Sequence, residues 1–254
     1  MVAKSKQDVA GLRRANQATA RLLKELAWLA QPGVTTGSLN RFAEAEIQRL
    51  GGEAVFHTQN GFPGCINTSV NDEAVHGVPG GRTLQAGDLL KIDCGLRLGS
   101  YCGDTTITIG VGDQAALSAE RRAVLAVTRE ALRRGIRAVR VGGRVGDIGH
   151  AIQTYVEAHG LQVLRQFTGH GLGHRLWEEP SIPAFGRAGS GPGIVEGMVF
   201  TIEPIVVAGS GRVYTSADGW TVRTVDRSPA AQFEHTVMAS RHGTQILSQL
   251  AAVA

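Results

Sequence analysis

The residues best suited to chemistry lie in residues 89–112, LLKIDCGLRLGSYCGDTTITIGVG, where two apolar, β-branched runs flank a short glycine-containing break. That pattern is a hairpin signature. Each run carries one aspartate, Asp93 and Asp104. A two-residue turn at Leu98-Gly99 would set Asp93 directly opposite Asp104 on one sheet face, with Cβ atoms roughly 5 Å apart. A bulge near Gly103 would shift that register. Two carboxylates closing on an apolar hairpin repel each other unless one takes a proton or a cation sits between them. An exposed polar face with both aspartates solvated is the alternative that the hairpin alone leaves open.

Further donors follow. His170 is bracketed by Gly169 and Gly171, which let the backbone approach a ligand closely. Glu203 closes an apolar run in Thr201-Ile202-Glu203-Pro204, where proline holds it extended. Glu234 sits in the alternating run AAQFEHTVMAS, with Gln232 and Thr236 on its face. A glutamate in the middle of each of two apolar strands is costly to bury unpaired. Asp93, Asp104, His170, Glu203 and Glu234 together offer four carboxylates and one imidazole. Converging, they call for about two divalent cations, which such ligands hold roughly 3.5–4 Å apart and which ionise water at neutral pH. Oxygen-rich ligation with one nitrogen suits Mn²⁺, Fe²⁺ or Co²⁺ and tolerates Zn²⁺. His76, in a loop between Val75 and Gly77, is either a further functional group or a structural histidine.

The elements that must position these groups can be read from periodicity. Residues 5–30 form a helix with apolar positions at Val9, Leu12, Ala15, Leu22, Leu23 and Leu26, stopped before Pro32-Gly33. A second helix follows Thr35-Thr36-Gly37-Ser38 and ends at Gly51-Gly52. Residues 54–80 are loop-rich, with short strand-like runs and turn chemistry at Asn-Gly and Pro-Gly. A long helix spans about 117–140, and another spans 147–159, capped by Asp147 and stopped by Gly160. His150 and His159 fall on helical surface and have no chemistry to do. Both halves place helices before strands, which suggests an internal pseudo-symmetry. No low-complexity linker divides the chain, so residues 1–254 are read as one domain.

Bulk properties narrow the class. At 254 residues, with 43% hydrophobic content and a mean hydropathy of -0.03, the chain has the makeup of a soluble globule. Its first residues are charged and lack an apolar core, unlike a secretory signal, and no run approaches the ~20 apolar residues of a membrane span. Cys65, Cys94 and Cys102 are odd in number and form no CxxC pair, which fits reduced thiols in the cytoplasm. The net charge of +4 comes largely from arginines over 120–144, read as a solvated helix face without a nucleic-acid motif.

In order and spacing, His76, Asp93 with Asp104, Gly169-His170-Gly171, Thr201-Ile202-Glu203-Pro204 and Gln232-Phe233-Glu234-His235-Thr236 resemble type I methionine aminopeptidase. The likeness runs from about residue 6 to residue 248. It implies the α/β pita-bread fold of the creatinase/aminopeptidase group, a pseudo-twofold antiparallel sheet covered by helices. The lack of an insert between His170 and Glu203, and of an N-terminal extension, resembles the short bacterial subtype. The resemblance also implies Asp93, Asp104, His170, Glu203 and Glu234 as ligands of two divalent ions, Co, Mn, Fe or Zn, with Asp104 and Glu234 bridging. Glu203 becomes the proton shuttle, and His76 hydrogen-bonds the scissile peptide. Phe62, Asn67, His76 and Trp220 fall where the family lines its methionine pocket. Implied partners are peptides and nascent chains that begin with methionine, with the ribosome nearby. A monomer with no membrane or specific nucleic-acid partner is expected.

The sequence departs from this pattern in Leu176-Trp177-Glu178-Glu179-Pro180, where the family has Phe-His-Glu-Glu-Pro. Trp177 takes the place of a histidine expected at the substrate carbonyl. An indole donates one hydrogen bond and carries no proton. Its bulk narrows the site where the second peptide residue would sit, so a slower enzyme or a different leaving-residue preference is expected. His174 falls on the opposite strand face by alternation. Two rivals remain: an X-Pro-type aminopeptidase of the same fold, and a partner-binding paralogue of low or no activity owing to Trp177.

Overall fold

The computed structural model describes residues 1–250. In the N-terminal half, α1 (Lys6–Leu29) and α2 (Thr36–Arg49) precede β1 (Glu53–Ala54), α3 (Val55–Asn60), β2 (Ile66–Val70), β3 (Glu73–Val75) and the long hairpin of β4 (Leu89–Leu98) and β5 (Tyr101–Gly110). The C-terminal half repeats the order. Helices α4 (Ala119–Ala138) and α5 (Val145–Ala158) lead into β6 (Gln162–Val163), β7 (Gly169–Gly171), β8 (Glu178–Ile182), β9 (Val199–Ile202) and β10 (Ile205–Val207). The chain ends with β11 (Val213–Thr215), β12 (Val222–Thr224), β13 (Ala230–Gln232), β14 (His235–Met238) and β15 (Gln245–Ile246).

Helix starts are locally encoded. Ser5 Oγ accepts from the Asp8 N–H while the Asp8 carboxylate accepts from the Ser5 N–H, a capping box that satisfies two otherwise orphaned donors. Thr35 Oγ1 accepts from the Ser38 N–H at the start of α2. Helix α5 begins at Val145, earlier than Asp147. Asp147 is therefore not the cap but lies inside the first turn, where its carboxylate accepts from the Arg144 N–H. The loop-rich 54–80 stretch holds α3, whose six residues are too few to show a helical period in sequence.

In the first half, α1 and α2 bury Leu22, Leu26, Leu39 and Ile47 against Leu90, Ile92, Cys94 and Leu96 of β4. In the second, α4 and α5 bury Leu132, Ile136, Ile148 and Ile152 against Phe200, Ile202, Val206 and Val237. Each half is a pair of helices on antiparallel strands, which is the pseudo-twofold arrangement. The seam between halves is polar and rich in threonine. Thr105 and Thr108 on β5 donate to the carbonyls of Glu234 and Gln232, and Thr236 donates to the carbonyl of Asp104.

The hairpin register corrects the expected pairing. The turn is Gly99-Ser100, with Leu98 paired to Tyr101, so Asp93 faces Thr106 and Asp104 faces Gly95. Gly99 has φ 63°, the left-handed conformation that a tight hairpin asks of its first central residue. The two aspartates still share a face, as diagonal neighbours rather than direct ones. A shift of two residues preserves side-chain alternation, whereas a shift of one would have reversed it.

A second register matters as much. Ile202 pairs with His235 and Ile205 pairs with Gln232, the same antiparallel register on either side of a break, which brings Glu203 and Glu234 to matching positions. The ladder is interrupted on both segments at this point, so Glu234 lies between β13 and β14 rather than inside a continuous strand.

Candidate metal centre

Alternation along β4 turns Leu90, Ile92 and Cys94 toward the helices and leaves Asp93 on the opposite face, toward the second half. Asp93, Asp104, His170, Glu203 and Glu234 all line one cavity of about 510 Å³. His170 sits on β7 between two glycines, and both glycines are required by close backbone neighbours. A Cβ on Gly169 would lie 2.5 Å from the Thr201 carbonyl oxygen, and one on Gly171 would lie 2.3 Å from that of Glu179.

The imidazole is aimed into the cluster. Its Nδ1 lies 3.1 Å from the Gly171 carbonyl oxygen, which places the proton there and leaves Nε2 as a lone pair facing the carboxylates. That Nε2 is 3.6 Å from Asp104 Oδ2 and 3.6 Å from Glu203 Oε1. One ligating atom each from Asp104, His170 and Glu234 falls within 4.8 Å of the other two. Burial lowers the His170 pKa to about 4, so the ring is neutral and able to ligate.

The carboxylates are held by hydroxyls and an amide. Thr201 donates to Glu203 Oε1 at 2.8 Å and Gln232 Nε2 donates to Oε2 at 3.4 Å. Thr106 donates to Glu234 Oε2 at 2.7 Å. Burial, reinforced by mutual repulsion, pushes Asp104 and Glu234 well above the ordinary carboxylate range. Burial likewise raises Asp93 and Glu203.

Asp93 Oδ1, Asp104 Oδ1 and Glu234 Oε1 are buried with no hydrogen-bond partner among the described residues. Each such orphan costs about 1–3 kcal/mol. All three residues line one cavity with the free imidazole nitrogen, and Asp104, His170 and Glu234 are close enough together to hold a divalent cation. The donor set, carboxylate oxygen with one nitrogen and no thiolate, fits hard to borderline ions. Cys94 packs in the first-half core and Cys102 is buried elsewhere, so neither thiol lines the cavity.

The rest of the cavity is lined by aromatic, amide and imidazole groups. Phe62 meets Trp220 edge-to-face at 5.4 Å, with Phe56 and Asn67 beside them. Asn67 is buried on β2 directly opposite Asp93. His76 follows β3 with φ 57°, and its ring stands edge-on to Phe167 at 5.5 Å. Burial lowers its pKa to about 4. Trp177 is 41% exposed at the rim, its ring centroid 6.2 Å from that of His170. Leu176 is fully buried in a neighbouring core, which fixes the rim behind the indole. His174 turns away: its Nδ1 is 2.7 Å from the Ser100 carbonyl oxygen and its ring stacks on Tyr101.

Sequence reasoning missed Phe167 and the supporting roles of Thr106 and Thr201. The alternating TTITI run of β5 carried a signal for the first threonine, whereas Phe167 has none.

The model of metallopeptidase family M24 matches residues 10–241. Methionine aminopeptidase 1 of Bacillus subtilis is 41% identical over 250 residues, covering 98% of this chain and 100% of that protein. The crystal structure of methionine aminopeptidase from Rickettsia prowazekii superposes with a TM-score of 0.93 at 37% identity, covering 98% of this chain and 100% of that one. The structure from Thermotoga maritima gives 0.94 at 34% identity, covering 98% and 100%. A prolidase from Pyrococcus furiosus shares the fold, with a TM-score of 0.75 at 20% identity, but only 66% of that longer chain is covered.

Proposed function

The chain belongs to metallopeptidase family M24, and we propose that it removes the N-terminal methionine from peptides and newly made chains. One observation carries the reading: Asp93, Asp104 and Glu234, each with an orphaned carboxylate oxygen, line one cavity with the free Nε2 of His170 and the aromatic pair Phe62 and Trp220. Full-length relatives named methionine aminopeptidase support it.

Asp93, Asp104, His170, Glu203 and Glu234 would hold two divalent ions, Co, Mn, Fe or Zn. Such ions supply water ionised near neutral pH and Lewis-acid polarisation of a peptide carbonyl. The remaining steps belong to side chains. Phe62, Trp220 and Asn67 enclose the methionine side chain and exclude water from it. His76, neutral, hydrogen-bonds the scissile peptide and steadies the departing amine. Glu203, steered by Thr201 and Gln232, carries the proton from the attacking water to the leaving nitrogen. Trp177 forms the wall met by the residue after methionine.

We place the reaction in the cytoplasm, with the chain acting as a monomer on nascent chains near the ribosome. Among the described residues no helix is long and apolar enough to cross a membrane, and the cysteines are unpaired.

The test is a tripeptide panel varied at its first residue, with X-Pro peptides included. Methionine should be released from Met-Ala-Ser, and peptides starting with leucine or alanine, X-Pro peptides among them, should stay intact. Cleavage of the X-Pro members alone would replace this reading with the prolidase one.

A further inference from the structure

We propose that Lys91 positions the metal-ligand strands, its terminal amino group clamping two backbone carbonyls where the halves of the molecule meet. This inference rests on the metal-dependent reading above. Lys91 lies on β4 and is 1% exposed. It stands on the same strand face as Asp93, one pleat away. Its Nζ donates to the Asn71 carbonyl at 2.8 Å and to the Ala230 carbonyl at 2.9 Å.

A fully buried lysine is rare and normally needs a carboxylate partner. None of the described residues forms a salt bridge with this one. The nearby acids are engaged by arginines, Asp72 and Glu73 with Arg223 and Glu73 with Arg82. The amino group instead donates to neutral carbonyls, and burial lowers its pKa to about 7.

The two carbonyls are strategic. Asn71 adopts φ 55° and is a hub: its N–H donates to the Leu89 carbonyl, its Oδ1 accepts from the Leu89 N–H, and its Nδ2 donates to Asp88. Its carbonyl also receives the Ala230 N–H. From Asn71 the chain runs through β3 to His76, and from Ala230 it runs through β13 to Glu234. One amino group thus ties the strand bearing Asp93 to the approaches of a second ligand and of His76. Lys91 acts through these backbones and is a positioning residue.

The test compares the unaltered protein with Lys91→Met, which keeps the volume and loses the amino group, and with Lys91→Ala, which opens space. Each is stripped by a chelator and titrated with Mn²⁺ by calorimetry, and kcat and KM for Met-Ala-Ser are measured after reloading. Lys91→Met should bind Mn²⁺ about 10–100-fold more weakly, the range for supporting residues around a metal, with kcat falling more than KM changes. Lys91→Ala should weaken similarly and recover in ammonium chloride but not in tetramethylammonium chloride of equal ionic strength. The proposal is overturned if Lys91→Met matches the unaltered protein in Mn²⁺ affinity and kcat, or if both salts act alike on Lys91→Ala. Where Lys91→Ala does not fold, Lys91→Met decides. If the unaltered protein takes up no Mn²⁺, the metal reading itself fails, an outcome distinct from normal uptake by the Lys91 variants.

Discussion

Glu203 and Glu234 occupy matching positions at a break in the strands, flanked in one register by Ile202 on His235 and Ile205 on Gln232. Two buried carboxylates brought to matching positions repel each other unless positive charge intervenes. Replacing Glu234 with alanine removes both a donor and part of that repulsion. The stripped Glu234→Ala protein should therefore melt no lower than the stripped parent, yet gain far less melting temperature on addition of Mn²⁺. Differential scanning fluorimetry with and without metal checks this. An undiminished gain would contradict a ligand role for Glu234.

Glu203→Gln keeps the shape and the contact with Thr201 but removes the base. Turnover of Met-Ala-Ser should fall about 10²–10⁴-fold, the usual contribution of a general acid–base group, with KM little changed. Steady-state kinetics on metal-loaded protein decides it, and a loss below tenfold would sink the shuttle assignment.

The His76 ring stands edge-on to Phe167 at 5.5 Å. His76→Ala should leave metal content unchanged while lowering kcat by about 10²–10³, as for loss of a single transition-state hydrogen-bond donor. Elemental analysis beside kinetics separates this from a ligand role. Loss of bound metal in His76→Ala would reassign the residue.

Trp177 lines the cavity at the position where the family resemblance implies a histidine. Trp177→His should raise turnover of Met-Ala-Ser and widen tolerance for bulky second residues, because it removes indole volume and adds a group able to accept and carry a proton. Equal rates and equal second-residue preference in the two proteins would remove the argument.

The buried acids also dictate a pH dependence. Burial holds Asp93 and Glu203 above their ordinary values, at about 7 and about 8. In chelator-stripped protein the folded state then binds more protons than the unfolded state between about pH 4 and 8. The stability these protonated acids contribute is present below the unfolded values and is lost as pH rises through the folded ones. Buried His76, His170 and His235, lowered to about 4, oppose this below about pH 6.5. The four raised carboxylates outnumber them, so stripped protein should melt at lower temperature at pH 8 than at pH 5. Metal competes with those protons, so the gain on loading should grow with pH. At a hundredfold excess over Kd that gain is about 2.7 kcal/mol, or roughly 5–10 °C for a chain of this size. A stripped protein that is more stable at pH 8 than at pH 5 would contradict the account.

Much of this arrangement is legible in the sequence, for a definite reason. Asp93, Glu203 and Glu234 are charged residues inside apolar runs, and that conflict between residue and surroundings is visible in one dimension. The hairpin turn was less so, because Leu98-Gly99 and Gly99-Ser100 are both short and glycine-bearing. Only the pairing of Leu98 with Tyr101 separates them. The face shared by Asp93 and Asp104 survived the error because the slip was even. The mutual approach of Glu203 and Glu234 depends on a pairing between distant segments, which no local pattern encodes. The same holds for Phe167, which is defined by its edge against His76, and for Lys91, whose two carbonyl partners lie 20 and 139 residues away.

The most direct measurement is methionine release from Met-Ala-Ser by protein stripped with a chelator and then reloaded with defined amounts of Mn²⁺ or Co²⁺. The account predicts that release stops on stripping and returns as up to two equivalents are added per chain. Release that continues undiminished in the stripped protein, or that fails to return at any metal loading, would contradict it.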